Sequence, residues 1–238
     1  MAHLDISSGT IVANAKESER VGFIRNTYLH LGGAILAFML VETLVIQSGL
    51  ANALTGMIRS MPFSWFIVIG LWVGVSYLAD NWARSPMSRE LQYAGLGVSI
   101  VAMAIVFSPM ILMALNFAPN PNALPAAAVL TLMLAGGLTF TAFSTKKDFS
   151  FLRPAITIGT FVAFGMIIAS MIFGFSLGLF FAAAMIILAA ASMLYQTSEI
   201  IHTYHTDQHV AASLGLFSSI GMMFYYMLMF IMSLTGGD

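Results

Sequence analysis

Residues 154–198 read PAITIGTFVAFGMIIASMIFGFSLGLFFAAAMIILAAASMLYQTS, without one charged side chain. At a rise of 1.5 Å per residue, about 20 apolar residues cross a hydrocarbon core roughly 30 Å thick. The stretch is long enough for two crossings, joined at the tight IFGFSLG segment (172–178). A membrane barrel would alternate polar and apolar positions, and MIILAAASML (185–194) has no such period. The reading is therefore helical and membrane-spanning.

Working outward, 91–145 is again free of charge, and the whole chain is 59% apolar and only 8% charged. An ordinary soluble domain is roughly 25% charged. Seven spans are predicted, at about 27–49, 63–82, 91–117, 123–145, 153–174, 176–198 and 210–234. The joint at 172–178 also allows spans five and six to be one broken helix pair. The fold class is an all-α integral membrane protein, with a polar tail over 1–26 and a membrane domain over 27–238. Small residues recur at Gly32, Gly33, Gly70, Gly74, Gly136, Gly137 and Ala182 to Ala184, the kind that lets helices approach closely in lipid. The chain has no cysteine, so disulfides and thiolate chemistry are excluded. Its net charge of -1 and scattered basic residues leave no footprint for nucleic acid.

Charge asymmetry sets the expected orientation. Lys16, Arg20, Arg25, Arg84, Arg89, Lys146, Lys147 and Arg153 fall on one side of a seven-span arrangement, and Arg59 alone on the other. Basic loops stay in the cytoplasm, so the N-terminus is expected there. MAHLDISSGTIVANAKESER lacks the apolar core of a cleavable signal, so insertion is expected to rely on the spans.

A carboxylate inside a span is costly and is a functional hypothesis by default. Glu42 lies within FMLVETLVI (38–46) and is either a hydrogen-bonded or protonated group between helices or a proton or cation handler. Asp80 and Arg84 in YLADNWARS stand four residues apart, a spacing at which acid and base share a helix face and pair. YQTSEIIHTYHTDQH (195–209) gathers Glu199, His202, His205 and His209 at the end of span six. His205 and His209 have the i, i+4 spacing of two zinc ligands but no base between them. The plainer expectation is a solvated helix end whose histidines complement the helix dipole, with pH sensing as the functional alternative. No metal or cofactor is expected. With no nucleophile–base pair or phosphate loop, neither is an enzyme.

Three stretches carry a likeness to a known family: RVGFIRNTYLHLGGAI (20–35), GLTFTAFSTKKDFSFLRP (137–154), and MLYQTSEIIH (193–202) followed by ASLGLFSSIGMMFYYML (212–228). Together they resemble the Bax inhibitor family of seven-span membrane proteins. The resemblance implies a bundle around a central C-terminal helix and a calcium leak gated by two aspartates that share a proton, with an arginine latch near the end of span two. At the positions matched to those aspartates this chain has Gln196 and Ser219, or Ser218 for the second, and neither can titrate. Arg84 stands at the latch, and Glu199 is the nearest acid able to substitute.

Two functions follow from that departure. The first is a non-enzymatic accessory or regulatory subunit of a larger complex of the bacterial inner membrane, such as a membrane protease or respiratory assembly; the resemblance supplies the precedent. The alternative is a pH-sensitive leak for calcium or another cation. Ordering a twenty-residue tail costs roughly 20–40 kcal/mol, at 1–2 kcal/mol per residue. A partner surface is therefore expected, with Leu4, Ile6, Ile11 and Val12 as its apolar anchors.

Overall fold

The computed structural model describes residues 10–60, 64–85, 88–145 and 147–236. A single 3-10 turn over Val12–Asn14 precedes α1 (Glu17–Gln47), α2 (Leu50–Ser60), α3 (Ser64–Ala83), α4 (Arg89–Phe117), α5 (Ala123–Thr145), α6 (Leu152–Phe173), α7 (Gly178–His202) and α8 (His209–Gly236). All but α2 are long and apolar enough to cross a membrane, so the seven expected spans are present. One end of the bundle carries residues 10–16 and the α3–α4, α5–α6 and α7–α8 connections. The opposite end carries α2 and the α4–α5 and α6–α7 turns.

Two boundaries depart from expectation. Residues 17–26, assigned above to the tail, are the first turns of α1, whose 31 residues reach about 46 Å. A hydropathy window finds only the part inside hydrocarbon, whereas Glu17 and Glu19 belong to the first turn, where acids complement the helix dipole. The second is α2, which follows the positive-φ Gly49 (φ 79°) and is too short to span.

The IFGFSLG joint resolves into a turn between two separate helices. Gly174 closes α6 in the left-handed conformation (φ 72°), its N–H donating to the Ser170 carbonyl at 2.9 Å, and Gly178 (φ 58°) opens α7. Pro109 lies inside α4, where it cannot donate to the carbonyl four residues back, that of Ile105. The Ser108 hydroxyl donates to that same carbonyl at 3.0 Å, so the group freed by proline keeps a partner in a dry interior.

The core lies along α8, which packs against α1, α3, α4, α5 and α7; the expected central C-terminal helix is α8. By contrast, α6 packs against α7 and, among the described residues, no other helix. The close approaches are not at the glycines named from the sequence. A Cβ at Gly32, Gly33, Gly70, Gly74, Gly136 or Gly137 would meet open space, so these faces point away from neighbouring helices. Of the alanines, Ala182 is buried and Ala184 exposed. The close approach to another helix's backbone is at Gly95 of α4, where a Cβ would stand 2.5 Å from the Ala79 carbonyl oxygen and 2.8 Å from the Ala83 nitrogen of α3.

Backbone cannot yield as a side chain can, so Gly95→Ala is expected to push α3 from α4 and cost about 3 kcal/mol. Gly33→Ala is expected to be near neutral. Thermal unfolding of the two variants in one detergent checks this; equal midpoints would contradict the packing.

Candidate functional site in the helix bundle

At the N-terminal end of the bundle, residues 10–12 lie against the α7–α8 connection. The Val12 N–H donates to the Tyr204 carbonyl at 3.0 Å and the Thr206 N–H to the Thr10 carbonyl at 3.1 Å, and Ile11 forms an antiparallel bridge with His205. Val12 is 0% exposed and joins the main apolar core. This corrects the expectation that Ile11 and Val12 anchor a partner: Val12 is consumed by the chain's own fold, and Ile11 is half-buried at the bridge. Leu4 and Ile6 lie outside the described residues. Residues 17–20 of that tail are ordered by α1 itself, and the connection at 203–208 offers free backbone groups. Those groups can pair with an incoming strand.

Tyr204 is also the meeting point for Arg84. The Arg84 Nε donates to both carboxylate oxygens of Asp80, at 3.0 and 2.9 Å, and the guanidinium carbon stands 5.4 Å from the centre of the Tyr204 ring. Burial works to lower the Arg84 pKa, but Tyr204 and Asp80 outweigh it and raise it. Burial in turn pushes the Tyr204 hydroxyl up. The ion pair is largely exposed and so contributes about 0–1 kcal/mol. Its consequence is orientation: α3 presents its cation to the α7–α8 connection rather than to Gln196.

On α7, the Tyr195 hydroxyl donates to Glu199 Oε1 at 2.5 Å. Gln196 faces α8, where its Oε1 would stand 3.3 Å from a Cβ on Gly215. That oxygen is buried and makes no hydrogen bond. Ser219 is buried one turn further along α8, so a Gln196–Ser219 hydrogen bond does not close the two helices here.

The histidines separate. His202 is the last residue of α7, and its Nδ1–H donates to the Ser198 carbonyl at 2.9 Å. The helix stops there because the Thr203 and Tyr204 N–H groups both turn back to the Glu199 carbonyl. His205 sits at the bridge to Ile11. His209 is not at a solvated helix end: it opens α8, is 9% exposed, and its ring lies 4.9 Å from that of His30. His30 has one nitrogen 2.7 Å from the Asn26 carbonyl, which only accepts, so Nδ1 carries the proton. Its Nε2 is 2.9 Å from the Tyr93 hydroxyl. The interruption of the helix at 203–208 removes the i, i+4 helical spacing of His205 and His209. Among the described residues no three His, Asp or Glu side chains converge as a metal site. The sequence reading missed His30 because its partners lie on α4 and α8, far along the chain.

Deeper in the bundle, Glu42 of α1 is 5% exposed, and neither carboxylate oxygen makes a hydrogen bond. One turn before it, the Phe38 ring packs on Phe107 and Phe217, at 6.0 and 6.2 Å. Nearly one turn after it, Val45 clusters with Ala51 of α2 and Leu112 of α4. The acid thus lies between two apolar layers, and the Thr27, Thr131 and Gln196 oxygens are further buried groups without partners.

The stretches quoted for the family resemblance touch one another. The Phe149 N–H donates to Ser198 Oγ at 3.0 Å, and the Tyr28 and Phe143 rings lie 6.1 Å apart. The Ser150 N–H and hydroxyl donate to Asp148 at 2.8 and 3.0 Å and hold its carboxyl below the usual range.

The family model described as "Inhibitor of apoptosis-promoting Bax1" matches residues 20–236. An uncharacterized protein of Pseudomonas aeruginosa is 30% identical over 227 residues, covering 95% of each chain. Uncharacterized proteins of Neisseria meningitidis serogroups A and B are each 22% identical over 222 residues, covering 90% of this chain and 94% of theirs.

Val12→Ala removes two buried carbons and is expected to cost about 1.6 kcal/mol, at 0.8 kcal/mol per carbon. Hydrogen exchange should show the Val12 and Thr206 amides deprotected together in that variant. Unchanged protection at Thr206 would mean that Val12 does not hold the bridge.

Proposed function

The chain belongs to the Bax inhibitor family, and we propose that it is a non-enzymatic proton or cation leak in which Glu42 is the titrating group. The observation that carries this reading is a buried carboxylate whose two oxygens have no hydrogen-bond partner. An ion there without a counter-charge is expensive, so the resting group is the neutral acid, and a proton or cation has to come and go for it to act. Gln196 and Ser219 cannot titrate, and of the two acids left, Glu199 accepts a hydrogen bond from Tyr195 whereas Glu42 is buried without a partner. The apolar layer of Val45, Ala51 and Leu112 would serve as a constriction that excludes water until the helices part. Residues 10–12, Tyr204 and Arg84 would close the other end.

The accessory-subunit reading draws on the missing aspartates, on precedent in the family and on a tail docked to a partner, and the last of these weakens because Val12 is buried in the chain's own fold. One observation still favours it. Because among the described residues the backbone of α6 packs closely against α7 and no other helix, much of its surface is open to lipid or to a neighbouring membrane subunit. The bacterial relatives and the basic residues gathered at one end support placement in a bacterial inner membrane, with residues 10–16 cytoplasmic.

In vesicles loaded with a pH dye, and in parallel with a calcium dye, flux through the intact protein is expected to fall roughly tenfold or more in Glu42→Gln. Equal flux in both proteins would remove Glu42 from the path, and no flux in either would return the argument to the accessory role. Orientation is open to direct measurement, since the chain has no native cysteine. A cysteine placed at Lys147 should resist an impermeant thiol reagent in intact cells and react once they are opened. Labelling from outside would invert the topology.

A further inference from the structure

Arg59 is the one basic residue at the end of the bundle opposite residues 10–16. A lone cation there works against the charge bias that orients the chain, so its position calls for a reason. Arg59 lies in the last turn of α2, and among the described residues it makes no ion pair. It lines a cleft of about 520 Å³ between α2 and α4, with Asn52, Thr55, Asn116, Met113 and Phe117. The cleft is two-faced. Polar groups come from Asn52, Thr55, Arg59 and Asn116, and an apolar wall comes from Met113, Phe117 and Leu112.

We propose that this cleft binds the phosphate group of a phospholipid, with Arg59 as the anion's partner and the α4 wall against the start of an acyl chain. Three features converge on that ligand. First, α2 has 11 residues, about 16 Å, too short to cross; its polar and apolar sides suit a helix lying in the membrane interface at headgroup depth. Second, the donors left over select an anion. The Thr55 hydroxyl is already spent on the Ala51 carbonyl at 2.8 Å, and one Asn116 N–H on the Leu112 carbonyl at 3.0 Å. The Arg59 guanidinium has five N–H donors in a fork that matches phosphate oxygens. Third, a free phosphate would have no use for Met113 and Phe117, whereas a lipid uses both walls. The site does not include Glu42, although it shares Leu112 with the apolar layer beside that acid.

Native mass spectrometry tests this on the full chain, extracted in mild detergent from vesicles of phosphatidylglycerol or of phosphatidylcholine doped with diacylglycerol. The intact protein is expected to retain one phospholipid and no diacylglycerol. Retention should fall roughly tenfold in Arg59→Gln and by less in Arg59→Lys, because lysine keeps the charge but loses the fork. Added inorganic phosphate should not displace the lipid. Because Arg59 is exposed, both variants are expected to fold, with thermal midpoints equal to that of the intact protein as the check. Retention unchanged in Arg59→Gln, no retained phospholipid, or displacement by inorganic phosphate would each overturn the proposal.

Discussion

Hydrocarbon offers no hydrogen bond to a peptide group, and this constraint governs nearly every local choice in the chain. It makes each crossing a helix that satisfies its own backbone. It explains why Ser108 stands beside Pro109: a proline within a span frees the Ile105 carbonyl, and the neighbouring hydroxyl supplies the missing donor. The same constraint gives Glu42 its meaning. In water its two oxygens would be solvated at no cost; between the Phe38 and Val45 layers they have no partner, and their protonation state becomes the property that the surroundings control.

The ends of the bundle obey different rules, because water can satisfy whatever the protein does not. There the chain uses short polar devices: the Asp148–Ser150 turn that leads into α6, the Asp80–Arg84 pair, and the bridge of residues 10–12 to 204–206. Each is weak alone. With the Phe149–Ser198 hydrogen bond and the Arg84–Tyr204 contact, they tie the ends of α3, α5 and α7 and residues 10–12 together at one end. The opposite end is tied differently, through α2 and its packing on α4.

Much of this was legible in the sequence, and the reason is physical. A crossing needs about 20 apolar residues in a row, a signal too long to arise in a soluble core, so all seven spans were found. The spacing of Asp80 and Arg84 also spoke for itself, since a helix alone brings them together. What escaped depends on contacts between distant segments. Gly32 and Gly33 look like packing residues, yet it is Gly95 that meets another backbone. Nothing near His30 in the chain announces His209 or Tyr93. Val12 looked like a spare anchor because its site is built by residues almost two hundred positions away. And α2 was missed because an amphipathic helix of 11 residues averages out in any window tuned to spans.

The isolation of α6 bears on how the protein is made. A helix whose backbone, among the described residues, packs closely on its successor and no other gains little from the rest of the bundle, which favours insertion of α6 and α7 as a hairpin turned at Gly174. On its outer side, natural variation need answer only to hydrophobicity, since Phe161, Phe173 and Ile172 have no fixed neighbour to fit. Along α8 every change of shape is felt by five helices. Two spans of similar composition thus carry unequal packing constraint, since the outer side of α6 need only stay apolar while a change of shape on α8 disturbs the helices around it.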